Sequence, residues 1–97
     1  MIYRLKSHPA VKKDLRHIAP DARDEILNKV LSKLEENPFL GMPLTGPLRG
    51  YWKYRVFLLR VWYRIGYSID TEHHEMVVIA IGARGGFYQR LRRRLKK

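Results

Sequence analysis

Midway along this chain the spacing of its apolar residues changes, and that change restricts the fold more than any other feature. Ala22, Ile26, Val30 and Leu34 recur every four residues, with Leu27 and Leu31 widening the stripe. This is one face of an amphipathic helix. Beyond Gly50 the period falls to two. Tyr51–Phe57 and Arg60–Ser68 read as antiparallel strands, and Glu75–Gly82 as a third after a turn at Asp70–His74. The stretch from Gly41 to Gly50 separates the two regimes; its three Gly and two Pro predict a loop, long enough to be a functional or adaptable segment. Upstream, Met1–Lys6 reads as a strand. Ser7 and Pro9 are suited to opening a first helix carrying Val11, Leu15 and Ile18. Pro20 and Asp21 restart the chain, and Asn37–Pro38 ends the second helix. Phe87, Leu91 and Leu95 mark a short C-terminal helix. The result is an α+β fold: an N-terminal strand, a helix hairpin covering one face, then antiparallel strands in one sheet, and the short last helix. The charges of the two hairpin helices, including a Glu25–Lys29 pair, read as a solvated face.

Ninety-seven residues are expected to form one domain, residues 1–97. There is no cysteine, which removes disulfide scaffolds, thiol nucleophiles and cysteine-based zinc sites. The longest apolar run, Met76–Ile81, is far below the ~20 residues of a membrane span. The first residues hold no apolar signal segment. A cytoplasmic protein without a membrane partner is the expectation. Charge is more telling. Lys and Arg number 20 against 9 acidic residues, net +11. Residues 1–50 hold 9 basic and 6 acidic side chains, and residues 51–97 hold 11 and 3, so the excess is +3 in one half and +8 in the other. Such concentration marks a surface for a polyanion, nucleic acid above all.

Pairing parity says where those cations point. If Val56 faces Val61, with Phe57–Arg60 as the turn, then Trp52, Tyr54, Val56, Val61, Tyr63 and Ile65 share one face. Lys53, Arg55, Trp62 and Arg64 share the other, with Arg60 at its edge. Like charges opposed across strands cost about 0.2–1 kcal/mol each, a penalty that a bound phosphate backbone removes. Trp62 and Tyr51 on that face are candidates to stack on unpaired bases, which favours single-stranded RNA. Leu58 and Leu59 lack the Gly or Asn of a tight hairpin, so they read as a longer loop or a partner contact.

The segments LRGYWKYRV, LRVWYRI and VVIAIGARGGFY resemble the RelE/ParE superfamily of bacterial and archaeal toxins, in order and over essentially the whole chain. The resemblance implies a microbial-RNase-like α+β fold. It also implies one of two activities: cleavage of messenger RNA in the ribosomal A site, as in the RelE branch, or poisoning of DNA gyrase, as in the ParE branch. Both branches are silenced by a cognate antitoxin. Carried over by position, the RelE-type catalytic cluster falls on Lys53, Arg55, Arg60, Arg84 and Tyr88, with Arg49, Tyr51, Trp62 and Arg64 as further RNA-binding residues. Arg55 stands where the family often has lysine, and the spacer from Arg84 to Tyr88 is short.

Cleavage by the RNA's own 2′-OH needs a base, stabilisation of the phosphorane and protonation of the leaving 5′-oxygen. His8, His17, His73 and His74 lie outside the candidate cluster, the last two in a turn rich in charge, and no carboxylate cluster accompanies them, so no metal or other cofactor is expected. Lys53 is the remaining candidate for the base, alone or sharing the role with ordered water, since its cationic neighbours favour its neutral form. Arg55 serves as a charge stabiliser, Arg60 and Arg84 as phosphate clamps, and Tyr88 as a group that orients or stacks the substrate. A site so sparsely equipped is expected to need the ribosome to hold the message in line. A gyrase-directed toxin and a noncatalytic RNA-binding module are the alternatives. Leu58, Leu59 and the C-terminal segment are the expected antitoxin contacts.

Overall fold

The computed structural model describes residues 2–83 and 85–95. Strand β1 (Arg4–Ser7) leads into helix α1 (Val11–Arg16). A second helix, α2, runs over residues 20–36, and a two-residue strand, β2 (Met42–Pro43), follows it. Strands β3 (Tyr51–Leu58), β4 (Val61–Asp70) and β5 (Glu75–Gly82) come next, then helix α3 (Phe87–Leu95). The five strands form one sheet in the order β1-β5-β4-β3-β2, antiparallel except for the β1–β5 pair. Among the described residues no helix is long and apolar enough to cross a membrane.

Helix α2 holds its apolar stripe by a change of winding. Steps of four residues overshoot a full α-turn by about 40° each. A π segment at Ile26–Val30, between α-helical Pro20–Glu25 and Leu31–Glu36, takes up that excess. Ala22, Ile26, Val30 and Leu34 are all buried as a result. They meet Tyr63, Ile65, Tyr67, Met76, Val78 and Ile81 on one face of the sheet. The hairpin of α1 and α2 thus covers that face, as the periodicity requires. Helix α1 opens differently from the expectation: Ser7 belongs to β1, and the His8 ring accepts the Ala10 N–H before the helix begins.

The C-terminal helix lies on the opposite face. Phe87 and Leu91 pack there with Leu48, Ile79 and Ala80. Two glycines make room: a Cβ on Gly66 would press on Phe87 and Leu91, and one on Gly82 would collide with the Arg90 guanidinium. With both faces covered, β5 is apolar from Met76 to Ile81, and Ile79 is the extra residue of a bulge between the pairs Gly66–Ala80 and Tyr67–Val78.

Helix α3 is also held by ions. Among the described residues no strand lies beside the outer edge of β5 beyond Val78, because β1 pairs only with Glu75–Val78. Asp14 and two arginines occupy that edge. Asp14 accepts the Ile81 N–H at 2.9 Å, Arg94 donates to both Asp14 oxygens and to the Ile79 carbonyl, and Arg90 reaches the Ile81 carbonyl. Burial pushes the Asp14 carboxyl up, but the hydrogen bonds from Arg94 and Ile81 and the charges of Arg94 and Arg90 outweigh it and hold the group below the ordinary aspartate range. Asp14 is therefore not part of a solvated face. It ties α1, β5 and α3 together.

Candidate active site

The hairpin of β3 and β4 keeps the expected division of faces but not the expected register. Val56 lies opposite Tyr63, and Leu58 opposite Val61. The turn is two residues, Leu59 and Arg60, both left-handed at φ 51° and 66°. A shift of two positions preserves parity, so Trp52, Tyr54, Val56, Val61, Tyr63 and Ile65 still face α2, while Lys53, Arg55, Trp62 and Arg64 face the other way. Leu58 belongs to β3 and packs on the core, so it is no free loop residue; Leu59 stays exposed at the tip.

On the α3 side, the helix covers the middle of β4 and β5 and leaves a strip along β3 open. Lys53 stands opposite Gly66, whose missing side chain lets α3 come down beside it. Tyr88, in the first turn of α3, then reaches back: the Lys53 Nζ donates to the Tyr88 Oη at 2.7 Å. The ring centroid is about twice as far, 5.3 Å, so the contact is with the hydroxyl and not the π face. The short spacer before Tyr88 does not prevent the meeting. Phe87, its neighbour, turns inward to the core and touches the Tyr88 ring edge at 5.3 Å.

One row further along, Arg55 and Arg64 are direct cross-strand partners. The Arg55 guanidinium lies 4.9 Å from the Trp62 ring centroid, and Phe57 stacks obliquely on the same Trp62 at 5.1 Å. Trp62 and Phe57 are 48% and 53% exposed, so this aromatic pair is surface, not core. None of the ion pairs among the described residues involves Lys53, Arg55, Arg60 or Arg64. The strip is cationic without compensation. Beside it is an open cleft of about 290 Å³, whose lining includes Leu40, Met42, Lys53, Arg55 and Trp62. Met42 enters because β2 pairs it with Lys53, a short strand hidden in a loop of Gly and Pro.

The remaining candidates are dispersed. Arg60 sits at the hairpin tip, at least five strand residues from Lys53, or about 17 Å. It does not join the Lys53–Tyr88 pair, because the tight turn places it where a longer loop would not. Tyr51 shares the Lys53 face but sits at the far end of β3, against Leu48 and the end of α3 near Arg92 and Leu95. Tyr51 and Trp62 therefore form no common stacking platform. Arg49 is exposed at the end of the 3₁₀ turn Gly46–Leu48. Arg84 lies outside the described residues. The four histidines are engaged elsewhere: His8 at the start of α1, His17 on the Lys13 carbonyl, His73 on Asp70 at 2.8 Å, and His74 against Tyr3. Among the described residues no cluster of three or more His, Asp or Glu is placed to hold a metal.

This arrangement can grip a phosphodiester and place an amine beside it. It lacks a histidine–carboxylate pair. Several solved structures similar to it are toxins, alone or bound to an antitoxin. The chain is similar to the toxin–antitoxin complex RelBE2 from Mycobacterium tuberculosis, at 25% identity and a TM-score of 0.77 over 87% of this chain and 100% of that one. It also matches an arginine double mutant of the Escherichia coli toxin RelE in its free state, at 24% identity and a TM-score of 0.75 over 99% and 100% of the two chains. The archaeal RelE–RelB complex of Pyrococcus horikoshii OT3 matches at 23% identity and a TM-score of 0.61, over 88% and 98%. No curated protein sequence matches. The family model of the ParE-like toxin of type II bacterial toxin–antitoxin systems covers residues 5–92, nearly all of the sheet and its three helices. By that match the chain belongs to this toxin family.

Proposed function

We propose that this toxin blocks translation in the cytoplasm by cutting messenger RNA in the ribosomal A site. The observation that carries the proposal is the Lys53–Tyr88 hydrogen bond on a strip of cations that has no carboxylate partner among the described residues. A toxin that acted only through protein contacts has no need to gather like charges and leave them uncompensated. In the proposed reaction Lys53 removes the 2′-OH proton, the 2′-oxygen bonds to phosphorus, and the bond from phosphorus to the 5′-oxygen breaks. Water returns a proton to that oxygen, leaving a 2′,3′-cyclic phosphate and a 5′-hydroxyl. Tyr88 orients the Lys53 amine, and the Arg55 guanidinium, braced on Trp62, stabilises the added negative charge. The ribosome supplies the in-line orientation.

Primer extension on a message in a reconstituted translation reaction tests this. Wild type is expected to produce cuts in phase with the A site, and Lys53→Ala to lower the rate by ~10²–10⁴-fold, the usual range for a general base. Cutting by Lys53→Ala at the wild-type rate contradicts the assignment. An uncut message, with inhibition of gyrase supercoiling instead, would transfer the protein to the gyrase-directed class. The solved relatives that are toxin–antitoxin complexes also support a cognate antitoxin as partner. The apolar face of α3 is already occupied by the sheet, so the contact is not expected to use Phe87 or Leu91 while α3 is docked. Copurification with the product of the adjacent open reading frame checks the partnership.

A further inference from the structure

A cleft of about 400 Å³ lies where α1 meets α3, away from the strip along β3. Lys13, His17, Arg90, Arg93 and Arg94 line it, with Asp14 buried among them. A second cavity, about 250 Å³, shares Asp14, His17 and Arg90 with it and extends to Gly82 and Ala83. Helix α3 thus serves two places from different sides. Tyr88 meets Lys53, while Arg90, two residues on and about 200° further round the helix, meets Asp14 of α1. Strand β4 separates β5 from β3, so the two places are at least about 10 Å apart. One phosphate group cannot bridge them.

The charges of the cleft do not balance. Four permanent cations, Lys13, Arg90, Arg93 and Arg94, surround one carboxylate, a net +3 with His17 counted as neutral. Asp14 is fully engaged: one oxygen accepts from Arg94 at 2.7 Å, and the other accepts from Arg94 and from the Ile81 N–H at 2.9 Å. Lys13 and Arg93 are exposed and enter no ion pair among the described residues. Arg90 is only half satisfied. One of its Nη atoms makes a long bond of 3.5 Å to the Ile81 carbonyl, and its Nε is buried with no hydrogen-bond partner, 3.9 Å from Asp14. Buried polar atoms in native folds are paired, so an orphan guanidinium N–H at the wall of a cationic cleft points to an external acceptor.

We infer that this cleft binds a compact polyphosphate, a diphosphate group either free or at the end of a nucleotide. Arg90 and Arg93 supply planar forks and Lys13 a point charge, a combination suited to phosphate oxygens. A diester in an RNA backbone brings one negative charge between two sugars, whereas a diphosphate brings about two to three in a small unit, matching the excess. Because Lys13 is on α1 and the arginines are on α3, the bound anion ties the two helices together. It also relieves the repulsion among Arg90, Arg93 and Arg94, which are neighbours at i, i+3 and i+4. Such a site needs no RNA cleavage, so it stands whether or not the protein is a nuclease.

Thermal unfolding in magnesium-free buffer, with sodium chloride equalising ionic strength, tests the site. Sodium pyrophosphate at about ten times its dissociation constant is expected to raise the wild-type Tm by ~5–10 °C. Lys53→Ala is expected to show the same rise, which separates the cleft from the strip on β3. The double variant Lys13→Ala with Arg93→Ala is expected to fold like wild type and, by calorimetry, to bind pyrophosphate at least ~10-fold more weakly. Arg90→Gln is expected to lose a similar factor; if it does not fold, the double variant decides. Adenosine diphosphate distinguishes the sources. Affinity at least equal to that of pyrophosphate indicates a nucleotide, weaker affinity indicates the free anion, and either supports the site. A Tm no higher than in the matched chloride overturns the proposal, as does a rise that is lost in Lys53→Ala and kept in the double variant. Single-stranded RNA without terminal phosphates that binds more tightly than pyrophosphate, and loses that binding in the double variant, also overturns it and makes the cleft an RNA contact.

Discussion

Asp14 is a small residue with a large share in the stability of this chain. Its carboxylate is buried and binds Arg94, Arg90 and the Ile81 N–H, so removing it leaves an arginine pair and an edge N–H unpaired. Breaking such a buried pair from one side costs about 3–5 kcal/mol. The pH dependence follows from the depressed carboxyl. Its contribution is complete above the unfolded-state value near 3.9 and is lost as pH falls from there through the lower folded-state value. Urea titrations of wild type and Asp14→Asn should differ by that amount near pH 7 and converge in strong acid. Equal stability at pH 7 would contradict the role. Asp14 was not read correctly from the sequence because charge alone says solvent. A signal was present, since Asp14 shares the i, i+3, i+7 face of Val11 and Ile18. Lys53 and Tyr88 were both candidates from the resemblance, but that they touch depends on how α3 docks, which no spacing in the sequence reports.

Elements show the same division between what patterns dictate and what packing decides. The separation of apolar and cationic faces on β3 and β4 was readable because parity survives any even shift of register. The register itself was not, since Leu59 and Arg60 give no sign of the left-handed turn they form. Each non-glycine residue held there costs roughly 1–2 kcal/mol. Replacing the pair by Asn-Gly (Leu59→Asn with Arg60→Gly) should therefore stabilise the protein by ~1 kcal/mol or more, a rise of about 4–8 °C in Tm for a chain of this size. Calorimetry checks this, and an unchanged or lower Tm would mean the turn is not strained. For α3, amphipathicity predicts a helix that packs, but not the face that receives it. Gly66 and Gly82 inside strands were the available sign. Gly66→Val should loosen α3, lowering stability by about 1–3 kcal/mol, and reduce cutting through Tyr88.

At the scale of the whole molecule, the net charge of +11 suits a polyanionic partner, and the fold gathers part of that charge on one strip of the sheet. Lys53, Arg55 and Arg64 are three cations that one RNA strand can neutralise together. Binding of a non-cleavable single-stranded RNA should then weaken about 100-fold for a tenfold rise in salt, from a slope of ~0.7 per phosphate contact and three contacts. Fluorescence anisotropy measures it, and a flat salt profile would remove the strip from RNA binding. In the proposed division of labour this strip performs the chemistry and the ribosome performs the alignment. The direct measurement is to follow one message with and without ribosomes and to identify the chemical group at each new 3′ end. Rapid cutting on ribosomes with 2′,3′-cyclic phosphate ends, and little cutting of the free message, is the predicted result. Equal cutting of free RNA, or 3′-hydroxyl ends, would contradict it.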